Sequence, residues 1–298
     1  METLQSDANY LLLFVAACFG TIGNTIRGYR WQMLNKSLSP HSSLINSILT
    51  THGNYALNIV FPRLGEVWRC GAMAHYSRMS FSALFGTLLI DRVLDALMVV
   101  LLLLLALALN GRFFQLFFEQ NPALLEQLQR TFSSPTTYVI LLLVIAVIVC
   151  LVKLLQRRPL GQKIKAQWEL LKEGLQTVRK MREKWLFGFC TVAIFGCYFL
   201  QFYLTFFAFS FTSHLSAAIA LIAFVMGGIG IGAPVQAGIG AWHFMVIYTL
   251  ICFGVPEVNA QSFALIVHTT QQMIWNPIVG LVSMLLLPIV NKNKEIVH

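Results

Sequence analysis

The sequence predicts an all-α fold, a polytopic transmembrane helix bundle with roughly seven to eight membrane segments, at least one of them re-entrant. Charged residues make up 11% of the 298 residues, and 57% of the residues are hydrophobic, whereas about 25% charged residues is usual for a soluble domain. From Trp185 to Asn291 the chain carries one charged residue, Glu257. A soluble fold could not cover its surface with such a segment. Hydrocarbon favours it, because a charge at the bilayer centre costs at least about 2.5 kcal/mol.

The basic residues are grouped in the way that marks a cytoplasmic loop. Ten of the 21 Lys and Arg residues fall between Lys153 and Lys184, between two apolar spans, so the formal net charge of +9 follows the positive-inside pattern. We therefore expect no nucleic-acid partner. The six cysteines form no CxxC pair and join no histidine at metal-ligand spacing, so no metal or other cofactor is expected. Since the motifs of nucleotide, serine-hydrolase and zinc-protease sites are absent, we do not expect an enzyme.

The apolar segments divide residues 1–298, which we interpret as a single integral membrane domain, into two possible pseudo-repeat halves. The halves cover 9–155 and 185–290, and a basic, amphipathic cytoplasmic segment at 156–184 joins them. Asn276-Pro277 interrupts the last apolar segment. The predicted segments are Asn9–Ile26, Leu44–Phe61, Phe81–Leu109, Tyr138–Leu155, Trp185–Phe211, Leu215–Ile231, Ile239–Val255 and Ala260–Val290.

Residues 44–61 are the segment that we predict to be re-entrant. Basic residues flank both ends, at 27–36 on one side and 63–78 on the other, so both ends are expected in the cytoplasm. The segment also contains an unusual number of Asn, Thr and His residues, which are tolerable where backbone is buried in protein or lines a cavity. A plain crossing is the alternative.

Two connections have amphipathic patterns. Ile164, Trp168, Leu171, Leu175 and Val178 follow helical spacing within the basic segment, which predicts a helix on the cytoplasmic surface. A second stripe predicts an interfacial helix on the outer side, and it consists of Phe113, Phe114, Phe117 and Phe118. For the C-terminus, Lys292 and Lys294 favour the inside, whereas an inverted repeat with a second re-entrant segment would favour the outside.

Charged residues inside apolar segments are the strongest candidates for a binding site. Asp91 and Asp95 share one helical face, and Arg92 can reach Asp95 at a spacing of three. We expect this turn to face a hydrated cavity and to pair with Arg63, Glu66 or Arg69; the alternative is a position near the inner headgroups. Two guanidinium groups of that second set could hold a phosphate, or they could serve as positive-inside anchors.

Other candidates carry weaker signals. Arg27 and Arg30, beside Trp31, are more typical of an interfacial belt than of ligand contact. Glycine and proline residues between 227 and 240 break the second half, as in transporter sites near the midplane, although glycine also permits close helix packing. His243 and His268 are isolated in apolar helices, where helix–helix hydrogen bonds are the usual role. The remaining residues predicted to contact substrate are Asn54, Asn58, Gln236, Gly238 and Gly240.

Four motifs in the right order resemble the lysylphosphatidylglycerol synthase transmembrane, or flippase-like, family. They are the runs at 27–34, 62–69 and 91–95 and the Pro234-Val-Gln-Ala-Gly-Ile-Gly240 run. The resemblance is closest to stand-alone bacterial members, and the residues from His268 to Gln272 fit it too. It implies a multi-pass protein of the bacterial inner, or cytoplasmic, membrane. Relatives translocate aminoacylated phosphatidylglycerol or, in archaea, are tied to dolichol-linked glycosylation.

The chain departs from the family pattern at both ends. No synthase domain follows Val290, so lipid aminoacylation is not expected. Family members usually carry one more span before the Arg27 region, so we expect either an upstream start or the loss of a helix.

The leading functional hypothesis is a protein that binds and translocates an amphipathic, phosphate-bearing lipid. Its partners would be membrane lipids, anionic or polyprenyl-linked, and a protein partner or homo-oligomer is compatible with the sequence. One alternative is a non-catalytic membrane partner of an envelope glycosyltransferase or lipid-modifying enzyme. The other is an intramembrane transferase acting on a polyprenyl-linked sugar, which has no nucleotide site in its favour.

Overall fold

The computed structural model describes residues 8–295, apart from 41, 62, 137, 140–141, 144–145, 148–149, 151–165, 167–168, 171, 173–175, 178–180 and 233–234. The described part of the chain is helical and contains no strand. Its helices are α1 (Tyr10–Lys36), α2 (Leu44–Val60), α3 (Leu64–Ser77), α4 (Phe81–Leu109), α5 (Gly111–Gln120), α6 (Pro122–Ser133), α7 (Lys184–Phe206), α8 (Ala217–Gly232), α9 (Ala241–Cys252), α10 (Glu257–His268) and α11 (Asn276–Glu295). A 3₁₀ turn occupies Gln236–Gly238, and a π-helical segment at Thr269–Trp275 joins α10 to α11.

Four helical stretches among the described residues are long and apolar enough to cross a membrane. They are Tyr10–Lys36, Phe81–Leu109, Lys184–Phe206 and Glu257–Lys292. α1 and α7 lie antiparallel along each other, since the Asn9 N–H donates to the Ala208 carbonyl at one end (2.8 Å). At the other end Trp31 and Phe187 belong to one buried cluster. This pair forms the centre against which the shorter helices pack.

The first hairpin, residues 44–77, consists of α2 and α3. It begins at Ser43, whose side chain accepts a hydrogen bond from the Asn46 N–H, and it turns at Phe61–Arg63. At its open end the Asn46 side-chain amide donates to the Ser77 hydroxyl (3.3 Å). Both ends of the hairpin therefore lie at one end of the bundle, as the re-entrant prediction requires. The hairpin is longer than the predicted range 44–61, because α3 forms its second, returning helix.

The polar residues of α2 serve mainly to attach neighbouring helices. Asn46 and Asn291 exchange side-chain hydrogen bonds of 3.1 and 2.8 Å, which join α2 to α11. His52 Nε2 lies 3.1 Å from the Thr25 hydroxyl of α1. Close packing completes the attachment, since a Cβ added at Gly28 would lie 2.7 Å from the Ile48 Cα atom. Most of the polarity that marks this segment is therefore buried between helices.

The second hairpin, residues 217–252, consists of α8 and α9 and enters from the opposite end. With 16 and 12 residues its helices are about 24 and 18 Å long, short of the roughly 30 Å of hydrocarbon. Its open end packs with the start of α1 and the end of α7, where Leu250 and Phe206 share one cluster. The two apolar segments predicted as separate spans thus form a single hairpin.

The tips of the two hairpins meet inside the bundle. The Gln236 side-chain amide donates to the carbonyls of Ile59 (2.8 Å) and Val60 (3.0 Å) at the end of α2. Ala237, Gly238 and Gly240 around this turn have positive φ angles, a conformation that glycine adopts without steric cost. The two hairpins therefore enter the bundle from opposite ends and meet at their tips.

Basic residues stand together at one end of the bundle. Lys36, Arg78 and Lys184 stand at the ends of α1, α3 and α7 that lie on the open side of the first hairpin. The Asn46–Asn291 pair places the end of α11 on the same side, together with Lys292. The structure thus combines a second re-entrant hairpin with a C-terminal helix end on the basic side, two features that the sequence presented as alternatives.

Helix α5 lies at the end of the bundle opposite these basic residues and is amphipathic, as the sequence predicts. Phe113, Phe114 and Phe117 are buried against α8 and α9. The Tyr248 hydroxyl of α9 donates to Gln120 Oε1 (2.7 Å) and fixes the end of α5 on the second hairpin.

The all-α polytopic fold is confirmed, with two corrections. The last apolar segment is not interrupted at Asn276-Pro277. Its interruption is the seven-residue π-helical segment Thr269–Trp275, which ends immediately before Asn276. The Leu215–Ile231 and Ile239–Val255 segments are legs of one hairpin. Most of the predicted span at 138–155, all five apolar stripe residues of the amphipathic helix predicted at 164–178, and Pro234 lie outside the described residues.

Candidate functional site

A buried charge cluster lies between α1, α3 and α4, and we define it as Arg27, Arg30, Arg69, Asp91 and Asp95. Arg30 Nη2 lies 2.6 Å from Asp91 Oδ1 and 2.7 Å from Asp95 Oδ1. Arg27 pairs with Asp95 Oδ2 and lies 3.8 Å from Asp91 Oδ2. Three arginines face two aspartates, so the cluster carries one positive charge in excess. Since buried charges are tolerated only when paired, this arrangement fixes the relative positions of three helices.

Arg69 is the least satisfied member of this cluster. Its side chain is fully buried, and Nη1 lies 3.6 Å from Asp91 Oδ2. None of its three nitrogens makes a hydrogen bond, and its guanidinium stacks 4.0 Å from the ring centroid of Trp31. The Trp31 ring is held in turn by a hydrogen bond from Nε1 to the Thr87 hydroxyl (3.0 Å). Arg69 is therefore positioned by stacking and charge rather than by directional bonds.

The interpretation of Arg27, Arg30 and Trp31 as an interfacial belt is wrong. All three are buried, Arg30 and Trp31 completely. Asp91 is ten residues beyond the start of α4, about 15 Å along the helix axis, so the cluster lies well inside the bundle. The matching spacings, three residues between the arginines and four between the aspartates, were the signal that pairs these two helix faces.

Three further charged residues stand between the cluster and an open cavity. Arg92 Nη1 lies 3.6 Å from Glu66 and 3.6 Å from Asp95, and its Nη2 lies 3.4 Å from Asp91. Arg92 and Glu66 retain 35% and 23% of their side-chain exposure, and Arg63 is exposed at the tip of the first hairpin. The expected pairing of Asp91 with Arg69 and the proximity of Glu66 are both present. Arg63 and Arg69, however, do not form a joint phosphate clamp, because Arg69 is buried behind the cavity wall.

The cavity has a volume of about 560 Å³ and lies where the two hairpin tips meet. Its walls differ in chemistry: one charged, one rich in amides and hydroxyls, and one apolar. The volume falls within the range of small-molecule binding sites. It is lined by Asn24, Tyr55, Asn58, Ile59, Arg63, Glu66, Arg92, Val99, Leu102, Phe195, Tyr198, Gln201, Phe202, Phe224, Val225, Gly228, Ile231, Val235, Ala237, Gly238, Trp242, Val267, His268, Gln271, Gln272 and Asn276.

The amide wall comes from α7 and the π-helical segment. Gln201 Nε2 donates to Gln271 Oε1 (3.0 Å), and Asn276 donates to Gln272 Oε1 (2.8 Å). Tyr198 connects this wall to the charge cluster, because its hydroxyl accepts from Arg27 Nε (3.1 Å) and donates to Asn24 (2.6 Å). A π-helical segment of this kind is typical of functional sites, since it re-aims side chains within a helix.

The sequence did not single out Tyr198, Gln201 or Gln271 as site residues. A signal was present in the chain: polar residues repeat at helical spacing, Tyr198 with Gln201 in one apolar span and Gln272 with Asn276 in another. Tyr198 and Gln201 are single polar residues among apolar ones, whereas Gln271 and Gln272 end the polar run that begins at His268; in both places the polar residues can equally well serve helix packing. Proximity in space is what separates the two roles.

Some of the remaining predicted site residues line the cavity, and the others contact residues next to it. Asn58, Gly238 and His268 line the cavity, and His268 Nε2 lies 3.0 Å from the Ala237 carbonyl. Asn54 lies outside it and accepts a hydrogen bond from the Asn58 side chain (3.2 Å). Gln236 joins the hairpin tips.

His243 and Gly240, the last two predicted residues, do not line the cavity. The His243 ring lies tilted beside the His268 ring, with 4.6 Å between ring centroids. Gly240 precedes α9 with a φ of 84°. Within the described residues no group of three His, Cys, Asp or Glu side chains is placed to bind a metal ion.

A comparison with protein families supports the resemblance seen in the motifs. The family model described as the lysylphosphatidylglycerol synthase TM region matches residues 2–276. Neither the curated proteins nor the solved structures contain a significant match.

Proposed function

The chain belongs to the lysylphosphatidylglycerol synthase transmembrane family, and from that premise we propose that it binds an amphipathic, phosphate-bearing lipid and moves it across the bacterial inner membrane. The observation that carries the proposal is the cavity at the meeting point of the two hairpins. Arg63 and Arg92 supply cations there, and apolar residues of α4 and α8 complete the lining.

The physical problem in lipid translocation is the headgroup. An ionised phosphate cannot enter hydrocarbon without a compensating charge, because desolvation costs many kcal/mol. Guanidinium groups offer paired donors to phosphate oxygens, which is the strongest class of protein hydrogen bond. Arg92 Nε is buried without a hydrogen-bond partner, so one donor is still free to turn toward a ligand.

The apolar wall suits the acyl chains of such a lipid. Val99 and Leu102 of α4 and Val225 and Ile231 of α8 line the cavity on the side away from the arginines. A lipid could thus place its headgroup against the start of α3 and the middle of α4 while its chains follow α4 and α8. The two hairpins, open to opposite sides, would expose this site to each leaflet in turn.

The test is reconstitution of the full chain into liposomes with fluorescent phosphatidylglycerol or a polyprenyl phosphate, followed by leaflet-selective quenching. Wild type should give a protein-dependent rate, and Arg92→Gln and Arg63→Gln should each lower it by about tenfold, since each removes one charge-assisted contact. Arg130→Gln is the matched control, because Arg130 lies exposed on α6 and pairs with Glu126. Folded protein that moves none of these lipids would refute translocation.

A non-catalytic partner of an envelope enzyme is the competing role. It predicts that the same variants leave function unchanged while the protein co-purifies with an enzyme. We retain the view that the chain itself is not an enzyme.

A further inference from the structure

Two histidines lie together beside the cavity. His268, the last residue of α10, is 2% exposed and lines the cavity. Its ring centroid lies 4.6 Å from that of His243 on α9. Histidine is the side chain whose charge ordinarily changes between about pH 5 and 8. Among the described residues that line the cavity, His268 is therefore the one suited to gain or lose a proton near neutral pH.

The hydrogen bond to the tip of the second hairpin shows which nitrogen of His268 is open. Nε2 lies 3.0 Å from the Ala237 carbonyl. Since a carbonyl only accepts, Nε2 carries the hydrogen in the neutral ring, and Nδ1 is the atom that would take up a further proton. The resulting imidazolium would keep its bond to Ala237 and strengthen it, because charge-assisted hydrogen bonds are about twice as strong as neutral ones.

Two aromatic rings lie close enough to His268 to stabilise a cation there. The Trp242 ring centroid is 5.0 Å from that of His268, and the His243 centroid is 4.6 Å away. A cation within about 6 Å of an aromatic centroid is attracted to the face of that ring. Two positive charges at the same separation repel each other, so the histidine pair is suited to hold one proton rather than two.

His243 is the poorer proton carrier of the pair. It does not line the cavity, and its Nδ1 is buried without a hydrogen-bond partner. Both nitrogens of an imidazolium carry hydrogen, so a protonated His243 would bury an N–H that has no acceptor. The contacts thus favour His268 as the residue that carries the proton, with His243 as its neutral neighbour.

The helices around the pair bring no carboxylate to it within the described residues. Helices α1, α2, α7, α8 and α9, the π-helical segment and the 3₁₀ turn contain no acidic residue. Glu257, the acid of α10, precedes His268 by about 16 Å along the helix. The other ionisable side chains of α9, Tyr248 and Cys252, lie in its second half, and the arginines of α1 belong to the buried charge cluster. A charged His268 would therefore have no counter-ion on these helices.

The charges across the cavity oppose a further cation while the cavity is empty. The other ionisable side chains among its described lining residues are Tyr55, Arg63, Glu66, Arg92 and Tyr198. Two cations face one carboxylate in this set, and a buried charge without a counter-ion is costly. A ligand phosphate between the arginines and the amide wall would neutralise the excess and remove this opposition. Phosphate binding would therefore favour protonation of His268.

We propose that His268 takes up one proton when a phosphate-bearing ligand enters the cavity, so that proton and ligand are bound and moved together. The proton passes from water to Nδ1 of His268 and returns to water when the ligand leaves. This inference rests on the proposed function, because it names the ion that accompanies the ligand at the same site. Linkage is reciprocal, so the ligand binds more tightly as the pH falls.

The test is the pH dependence of lipid binding by the purified full chain in detergent. Fluorescent phosphatidylglycerol and fluorescent phosphatidylethanolamine are the probes, because a phosphodiester stays ionised and a primary ammonium stays protonated between about pH 5.5 and 7.5. Any proton taken up on binding then belongs to the protein. Uptake of one proton gives up to tenfold in affinity per pH unit, so we expect either probe that binds to do so about tenfold more tightly at the lower pH.

A direct proton count accompanies the affinities. Calorimetric titration in two buffers of different ionisation enthalpy gives the number of protons bound with each lipid. Wild type should take up a substantial fraction of one proton, and the count should fall to zero in His268→Gln. An affinity that does not change with pH, or a wild-type count of zero, would overturn the inference.

Variants identify the residue that carries the proton. His268→Gln keeps a donor for the Ala237 carbonyl but cannot be protonated, so its lipid affinity should no longer depend on pH. His243→Phe keeps an aromatic ring beside His268 and should retain the dependence. His214→Gln is the matched control, because His214 lies exposed between α7 and α8. Loss of the dependence in His243→Phe with retention in His268→Gln would refute the assignment to His268. If His268→Gln fails to fold, the wild-type proton count and His243→Phe still decide.

The proton linkage and translocation can fail separately. Lipid movement in liposomes without proton uptake on binding would overturn the linkage and leave translocation standing. Proton uptake on binding without any change of leaflet would refute translocation and leave the linkage standing. A folded chain that binds neither probe would refute both.

Discussion

Removing the carboxylate of Asp91 should destabilise the protein more than removing any one of its arginine partners. In wild type, Arg27, Arg30 and Arg69 face two aspartates, and Asp91 contacts all three. In Asp91→Asn three buried guanidinium groups would share Asp95 alone. Breaking a buried ion pair from one side typically costs about 3–5 kcal/mol, because the remaining charge is left uncompensated.

Arg69 provides the internal comparison. It makes no hydrogen bond, and Nη1 lies 3.6 Å from Asp91. Arg69→Met would retain the volume beside Trp31 and balance the remaining charges, so we expect a cost of about 1–2 kcal/mol. The double variant Asp91→Asn/Arg69→Met removes one buried cation together with the buried anion. The double variant should therefore be more stable than Asp91→Asn alone, although two contacts are lost.

The assay measures the midpoint of thermal unfolding (Tm) in detergent. Unfolding is monitored as the loss of the monodisperse peak in size-exclusion chromatography after heating. A cost of 3–5 kcal/mol corresponds to a Tm lower by roughly 6–20 °C for a chain of this size. Glu257→Gln serves as the control, since this exposed acid at the start of α10 makes one hydrogen bond to Gln261. An Asp91→Asn variant as stable as wild type, or a double variant less stable than Asp91→Asn, would refute the charge-balance reasoning.

Three further predictions concern the packing and orientation of the hairpins. Gly28→Ala should lower the Tm because its Cβ would meet the backbone of α2 at 2.7 Å, whereas Gly188→Ala, with open space around it, should leave the Tm unchanged or raise it slightly; equal effects would contradict the close approach. Gln236→Leu should increase amide hydrogen exchange at both hairpin tips but not at their open ends, and unaltered exchange would show that the tips do not depend on this side chain. In a background without other cysteines, Lys292→Cys should react with an impermeant maleimide from the cytoplasmic side and Glu257→Cys from the outer side; labelling from one side alone would reject the proposed orientation.

Periodicity and charge placement were enough to predict the fold class. The low charge of 185–291 and the basic segment before it fixed the membrane setting, and the polar run at 44–61 indicated a re-entrant element. The return leg was harder to predict because α3 contains Arg69, Cys70 and Met73 on one buried face and resembles an ordinary amphipathic helix. What identifies it as the second half of a hairpin is contact with α2, a long-range property that no local pattern encodes.

The candidate site was only partly predictable for a related reason. Asp91, Arg92 and Asp95 stood out because each is expensive in hydrocarbon. Arg27 and Arg30 carry the same signal, yet their place before Trp31 and a basic flank made an interfacial role look sufficient. A charged residue near the apparent end of an apolar segment can lie at the membrane interface or inside the bundle. The two positions differ in how far the helix continues beyond that residue. α1 runs on to Lys36, which moves both arginines about 9–14 Å inside the helix end.

The buried cluster and the cavity arginines have different roles, and the burial of each group shows why. Arg27, Arg30 and Arg69 pair with Asp91 and Asp95 and have almost no exposed surface. Their charges therefore hold α1, α3 and α4 together and are not available to a ligand. Arg92 belongs to both sets, because it lies within 3.6 Å of Asp95 and Glu66 and also lines the cavity. A ligand phosphate that draws Arg92 away from Asp95 would leave that aspartate to Arg27 and Arg30. The cluster could tolerate this exchange because it already holds an excess of positive charge, and Arg92 would then be the residue through which binding of the proposed ligand affects helix position.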